Sequence, residues 1–245
     1  MELLTHADCR PAARKAFLAI GPTALAFLER ALADRSLPRK VRRHLPRTIH
    51  RFETQWALDI LQAQLLEETD GAVRYKILRA LVRLRANDSG LRIDHEAMAE
   101  LQRQTLERAV AIADRCVHLE EGQRQEPSRR TVGGDLLVAS LREKETNALE
   151  RVFRMQHILR PRESYQLYWR GLNSRDRTRR AASRELVEHS FTGAVRDAVL
   201  AMTDDAPIAA RVQEASAALG MSLEEGTYEG TLEGLIDDAS ETIRS

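Results

Sequence analysis

An all-α fold, arranged as a solenoid of short antiparallel helix pairs, is what this sequence predicts, and three observations predict it. Only 4% of the 245 residues are aromatic and 31% are charged, with Leu, Ala, Arg and Glu prominent, a mixture that suits helices better than a sheet-rich core. Apolar residues return at spacings of three and four over much of the chain, the period of a helix with one buried face. A small pattern also recurs: an acidic residue, a short gap and a Val-Arg pair, as Asp34…Val41-Arg42 and Asp70…Val73-Arg74.

Asp8 to Leu32 shows the unit in miniature. ADCRPAARKAFLAIG reads as turn, Pro and helix; Gly21 ends that helix, and Pro22 opens the next at its first position. Arg14 corresponds to Arg42 and Arg74, at spacings of 28 and 32 residues. Asp204 to Gly220 repeats the theme, with Pro207 and Arg211 in the roles of Pro11 and Arg14. Recurrence of this kind points to internal repetition.

Residues 38–52 make the helical wheel explicit. Val41, Leu45, Ile49 and Phe52 form one stripe, and Arg39, Arg43, Arg47 and His50 the opposite one, so one face is expected to be buried and the other wet. Pro46 falls inside and should bend the helix, since it lacks an N–H and crowds the carbonyl four residues earlier. The next helix, 54–67, is expected to bury Trp56, Ala57, Leu58, Leu61 and Leu65; the one at 72–85 should bury Val73, Ile77, Ala80, Leu81 and Leu84. Neither covers its apolar stripe alone, so stacking against neighbours must complete the core.

After Asn87-Asp88-Ser89-Gly90 the texture changes. Residues 94–119 read as a long helix carrying Met98, Leu101, Leu106, Ile112 and Leu119, and Glu121–Gly134 as an irregular exposed loop. A second long helix is expected from Asp135 to Leu159, with Leu137, Leu141, Leu149, Val152 and Phe153 inward and Arg142 to Glu145 outward. Pro161 should start a short helix whose Tyr165, Tyr168, Trp169 and Leu172 share a side. The repeat domain then covers residues 1–220, leaving 221–245 as an acidic tail or a capping helix. Tyr228, Leu232, Leu235, Ile236, Ala239 and Ile243 share a helical face there, but Gly226, Gly230 and Gly234 each cost about 1 kcal/mol in a helix interior.

These stretches resemble HEAT repeats, paired antiparallel helices of the armadillo-like class with a Pro, an Asp and a Val-Arg or Ala-Arg pair in the first helix. The resemblance implies a ladder of polar contacts between neighbouring repeats formed by Asp34, Arg42, Asp70 and Arg74. Spacings here are shorter than the roughly 40–47 residues of such a unit. Residues 34–205, with RYKILRALVRLR and the segment Arg151–His189, are similar to soluble HEAT segments of bacterial proteins that carry nucleotide-transporter-like membrane modules. That implies a cytoplasmic regulatory domain, at the membrane as part of a larger protein. The apolar opening Met1-Glu2-Leu3-Leu4, without a capping signal, agrees with a piece of a longer chain.

A formal net charge of +1 gives no global pull toward nucleic acid or membrane. No apolar run of 18 residues and no export leader is present, so the chain is expected to be soluble, without direct membrane insertion. Cys9 and Cys116 lie in no paired or metal-type spacing and are expected to be two buried thiols. His95-Glu96 lacks the second His of a zinc-protease helix, His44 and His50 share no tight ligand face, and no phosphate loop, nucleophile elbow or paired-Cys site occurs. No catalytic, cofactor or metal residues are therefore expected, and the chain reads as a non-catalytic protein–protein interaction scaffold. The alternative is a nucleic-acid binder using the basic face Arg39, Arg43, Arg47 and His50. Residues 35–51 carry seven Lys or Arg and no acid, which reads as a solvated face plus the ladder, or as phosphate contacts. A second run, Arg175, Arg177, Arg179, Arg180 and Arg184, is diluted by Asp176.

Overall fold

Residues 1–223 and 226–237 are described by a computed structural model, and among them every regular element is helical. In order these are α1 (Arg10–Ile20), α2 (Pro22–Ala33), α3 (Arg39–Arg42), α4 (Leu45–Ile49), α5 (Gln55–Glu67) and α6 (Gly71–Asn87). Then come α7 (His95–Gln125), α8 (Val132–Leu159), α9 (Tyr165–Leu172), α10 (Arg177–Ser190), α11 (Gly193–Met202), α12 (Ile208–Leu219) and α13 (Tyr228–Asp237). No described helix is long and apolar enough to cross a membrane.

Two compact units divide the chain, Met1–Ala99 with Arg154–Ser164, and Glu100–Phe153 with the described residues from Tyr165 onward. The chain leaves the first unit along α7 and returns at the end of α8, where the Arg85 Nε–H donates to the Ile158 carbonyl (3.2 Å).

In the first unit α2 packs on α1, α4 and α5, and α6 packs on α4 and α5. Leu25, Leu28, Leu45, Ile49, Leu58, Leu61, Ile77 and Leu81 are fully buried between them, each worth about 1.5–3 kcal/mol relative to exposure. Local chemistry sets the boundaries. Gly21, at φ 76°, closes α1 and puts Pro22 at the head of α2, a backbone turn that a side chain would strain. Thr54 accepts from the Ala57 N–H to start α5, and Asp70 Oδ1 accepts from the Ala72 and Val73 N–H groups to start α6.

The expected helix over 38–52 is broken. α3 stops at Arg42 and α4 begins at Leu45, so the interruption falls one turn before Pro46, where the ring would meet the Arg42 carbonyl. The wheel is altered accordingly: Val41, Leu45 and Ile49 are buried, but so is His50, while Phe52 is half-buried. Trp56 is exposed, contrary to expectation, because it lies in the first turn of α5 beyond the packed stripe. Cys9 is likewise exposed, whereas Cys116 is buried; burial pushes the Cys116 thiol up to about 12.

The second unit is organised on aromatic rings. Phe153 of α8 lies 5.3 Å from both Trp169 and Phe191, and Tyr165 lies 5.7 Å from Phe191. Leu106, Ala109 and Val110 of α7 and Val199, Met202 and Val212 of α11 and α12 complete that core. The loop expected over 121–134 is much shorter, since α7 runs on to Gln125 and α8 already begins at Val132. The short helix starts at Tyr165 rather than Pro161. Glu145, expected outward, is buried, and its carboxyl is raised by burial against the pull of Arg211 and Arg142. From the tail, Tyr228–Asp237 is helical, and Leu235 packs with Cys116, Leu119, Val138 and Leu141. Gly122 leaves room for this, because a Cβ there would sit 2.6 Å from the Tyr228 Cβ. The expected capping face also included Ala239 and Ile243, which lie outside the described residues.

Candidate anion-binding cleft

The first unit contains a cleft of about 180 Å³ lined by Arg10, Arg14, Arg43, His44, Arg47, His50, Lys76, Arg79, Ala80 and Arg83. Three stretches of sequence supply it, each at helical spacing. Arg10 and Arg14 stand one turn apart on α1. Arg43, Arg47 and His50 follow one another at four and three residues around the Pro46 break. Lys76, Arg79, Ala80 and Arg83 form the i, i+3, i+4, i+7 stripe of α6. Arg43 and His44 in the break and Arg47 and His50 after it face the same space as α6.

Seven of the ten lining residues are Lys or Arg, and none is acidic. Depth varies: Arg43 and Arg47 are exposed, Arg10, Lys76, Arg79 and Arg83 are half-buried, and Arg14 keeps only 4% of its surface. The Arg14 Nε–H donates weakly to Thr48 Oγ1 (3.4 Å), which itself donates to the His44 carbonyl (3.2 Å). Arg10 donates to the Leu4 and Thr5 carbonyls. Lys76 and Arg79 lie 5.4 and 5.7 Å from the centre of the Tyr75 ring, a partial compensation. Among the described residues none of the seven pairs with a carboxylate. His50 is 8% exposed, and its Nδ1 has no hydrogen-bond partner.

The ionisation of these groups reflects the same field. Burial, followed by Arg47, Arg51, Arg10 and Arg83, brings the Arg14 guanidinium down to about 10. The His44 imidazole is driven to about 4 by burial, then by Arg10, Arg14, Arg43 and Lys76. His50 also falls to about 4, through burial first and Arg83 next. Lys76 and Arg83 are lowered by burial and then by neighbouring arginines. In all five groups every charge contribution comes from a cation. A buried charge is costly unless paired, and the cleft holds a positive excess with no carboxylate in its lining to balance it.

The residues singled out from sequence are distributed unevenly. Arg43, Arg47 and His50 line the cleft, but Arg39 does not: its Nε pairs with Asp70 Oδ2 at 2.7 Å. Lys76, Arg79 and Arg83 were not foreseen, although their stripe on α6 was the available signal. Of the expected ladder, Arg42 is buried and donates to the Leu32 carbonyl (2.9 Å) and Glu68 Oε2 (2.5 Å). Arg74 donates to the Glu68 carbonyl (3.3 Å). Asp34 instead accepts from the Ser36 hydroxyl and N–H, which lower its carboxyl, and Asp70 caps α6. The acid facing Arg42 is thus Glu68, whose Oε1 also accepts from the Thr69 and Asp70 N–H groups.

A shared job emerges at the repeated arginine. Arg42, Arg74 and Arg211 each donate to a carbonyl at the C-terminal end of the preceding helix, those of Leu32, Glu68 and Met202, where backbone acceptors lack intrahelical partners. Arg14 is the exception and faces the cleft. No cluster of three His, Cys, Asp or Glu residues suited to a metal occurs among the described residues. The chain matches no family model, no curated protein and no solved structure.

Proposed function

We propose that the chain is a non-catalytic binding protein, a HEAT-like array of helix pairs whose basic cleft takes up an anionic, phosphate-bearing partner. One observation carries this: seven cations from α1, the α3–α4 region and α6 converge without a single carboxylate among the lining residues. Natural surfaces usually intersperse both signs, and an uncompensated basic concavity concentrates anions. The solenoid part of the reading is supported by contacts of α4 with α2 and with α6, and of α2 with α5, which join each helix pair to the next. Binding of a labelled short DNA duplex and of inorganic pyrophosphate at low ionic strength tests the proposal, with the double variant Arg47→Glu/Arg83→Glu as control. Binding of either anion that the variant loses supports it; an intact protein that binds neither sinks it.

A second reading, a protein partner, is favoured by an apolar patch on α1 and α2. Phe17 and Phe27 stack at 6.4 Å, and Ile20 and Phe27 are both exposed, a feature typical of docking surfaces.

A further inference from the structure

We infer that the anion is a short run of linked phosphates, inorganic or the tail of a nucleoside triphosphate, inserted end-on, and not a nucleic-acid backbone lying across the mouth. This rests on the anion-binding reading of the cleft and narrows it.

Depth is the first argument. A polynucleotide presents its phosphates along a strand and would meet the exposed Arg43 and Arg47, yet it could not reach Arg14, which keeps only 4% of its surface exposed. The Arg14 fork has one weak bond, through Nε, so its remaining N–H groups are free to hold a terminal phosphate in two-point fashion. His50, buried at the same site with an unpartnered Nδ1, offers a neutral imidazole that can donate to one phosphate oxygen.

Size is the second. At about 180 Å³ the cleft falls short of the ~300–1,000 Å³ typical of sites that enclose organic ligands. A nucleoside would have to remain outside. No Phe, Tyr or Trp lines the cleft, so the stacking platform on which single strands are held is missing.

Charge is the third. One orthophosphate brings about −1.5 to −2 at neutral pH, far less than the seven cations around the cleft. Linked phosphates bring several negative charges in a narrow chain, matched to a funnel whose cations run from mouth to floor.

Calorimetric titration of the full chain with orthophosphate, inorganic tripolyphosphate, a nucleoside triphosphate and a short DNA duplex tests the inference. Tripolyphosphate should bind about tenfold or more tightly than orthophosphate and displace any bound duplex. Equal affinity for inorganic and nucleoside triphosphate assigns recognition to the phosphates alone. Tighter nucleotide binding identifies the nucleotide as the source and also supports the inference. Arg14→Met should weaken tripolyphosphate binding about tenfold or more, with partial recovery in Arg14→Lys; if Arg14→Met does not fold, Arg83→Gln carries the same test. Duplex binding that tripolyphosphate cannot displace, or orthophosphate bound as tightly as tripolyphosphate, overturns the inference while leaving the anion-binding function standing. Failure of all four anions to bind overturns both.

Discussion

Two arginine-rich stretches, one in each unit, have opposite fates. In the second unit Arg180 meets Asp205 at 3.0 Å, Arg184 meets Asp204 at 2.7 Å and Arg179 lies 3.7 Å from Asp176. In the first, Arg43, Arg47 and Arg83 meet other cations and no carboxylate. The difference shows that charge density along a sequence carries little functional information; what matters is whether folding delivers an acid to each base. Paired arginines spend their hydrogen bonds internally, and unpaired ones in a concavity leave theirs available.

The comparison can be sharpened by moving one arginine between classes. Arg42 lies in the first unit but is paired, through Glu68, and both are nearly inaccessible. Glu68→Ala should therefore cost about 3–5 kcal/mol, since it strands a buried guanidinium, and chemical denaturation will show it. The cleft should behave in the opposite way. Arg47→Glu/Arg83→Glu ought to lower anion affinity by about tenfold or more while leaving the melting temperature unchanged or higher, because repulsion is relieved. A melting temperature that collapses would mean these side chains hold the fold.

A smaller effect is expected from pH. His44 and His50 stand near 4 when folded, against an ordinary 6.5. Between those values the unfolded chain binds more protons, so their contribution to stability is complete above about pH 6.5 and is lost as pH falls toward 4. Thermal melts across that window should fall with acid, and less steeply in His44→Gln/His50→Gln; equal slopes would refute the assignment. Added tripolyphosphate should offset part of the loss through mass action. Least of all, Arg180→Ala in the second unit should change stability by about 1 kcal/mol or less, as exposed pairs do, and leave anion binding intact.

Much of the helical layout was legible. Gly21-Pro22, Asp70 and the Pro46 break announce themselves because they act on their own backbone within one turn. The buried faces of α6 followed from period alone. Trp56, Cys9 and Glu145 were misjudged for a different reason: whether a side chain at a helix end or on an outward-reading face is covered depends on a neighbour's path, which no local pattern encodes. The cleft shows both sides of this. Each of its three cationic stripes is visible in the sequence, but only folding brings Arg14, Arg47 and Arg83 together and reveals that Arg39 has gone to Asp70.

The arginine that ties the end of one helix to the start of the next has an evolutionary corollary. Because Arg42, Arg74 and Arg211 each reach back to the helix before them, a gene segment encoding one pair already includes the clasp for its predecessor. Duplication could lengthen such a chain without inventing a new joint. Arg14 bonds to Thr48 and lines the cleft instead.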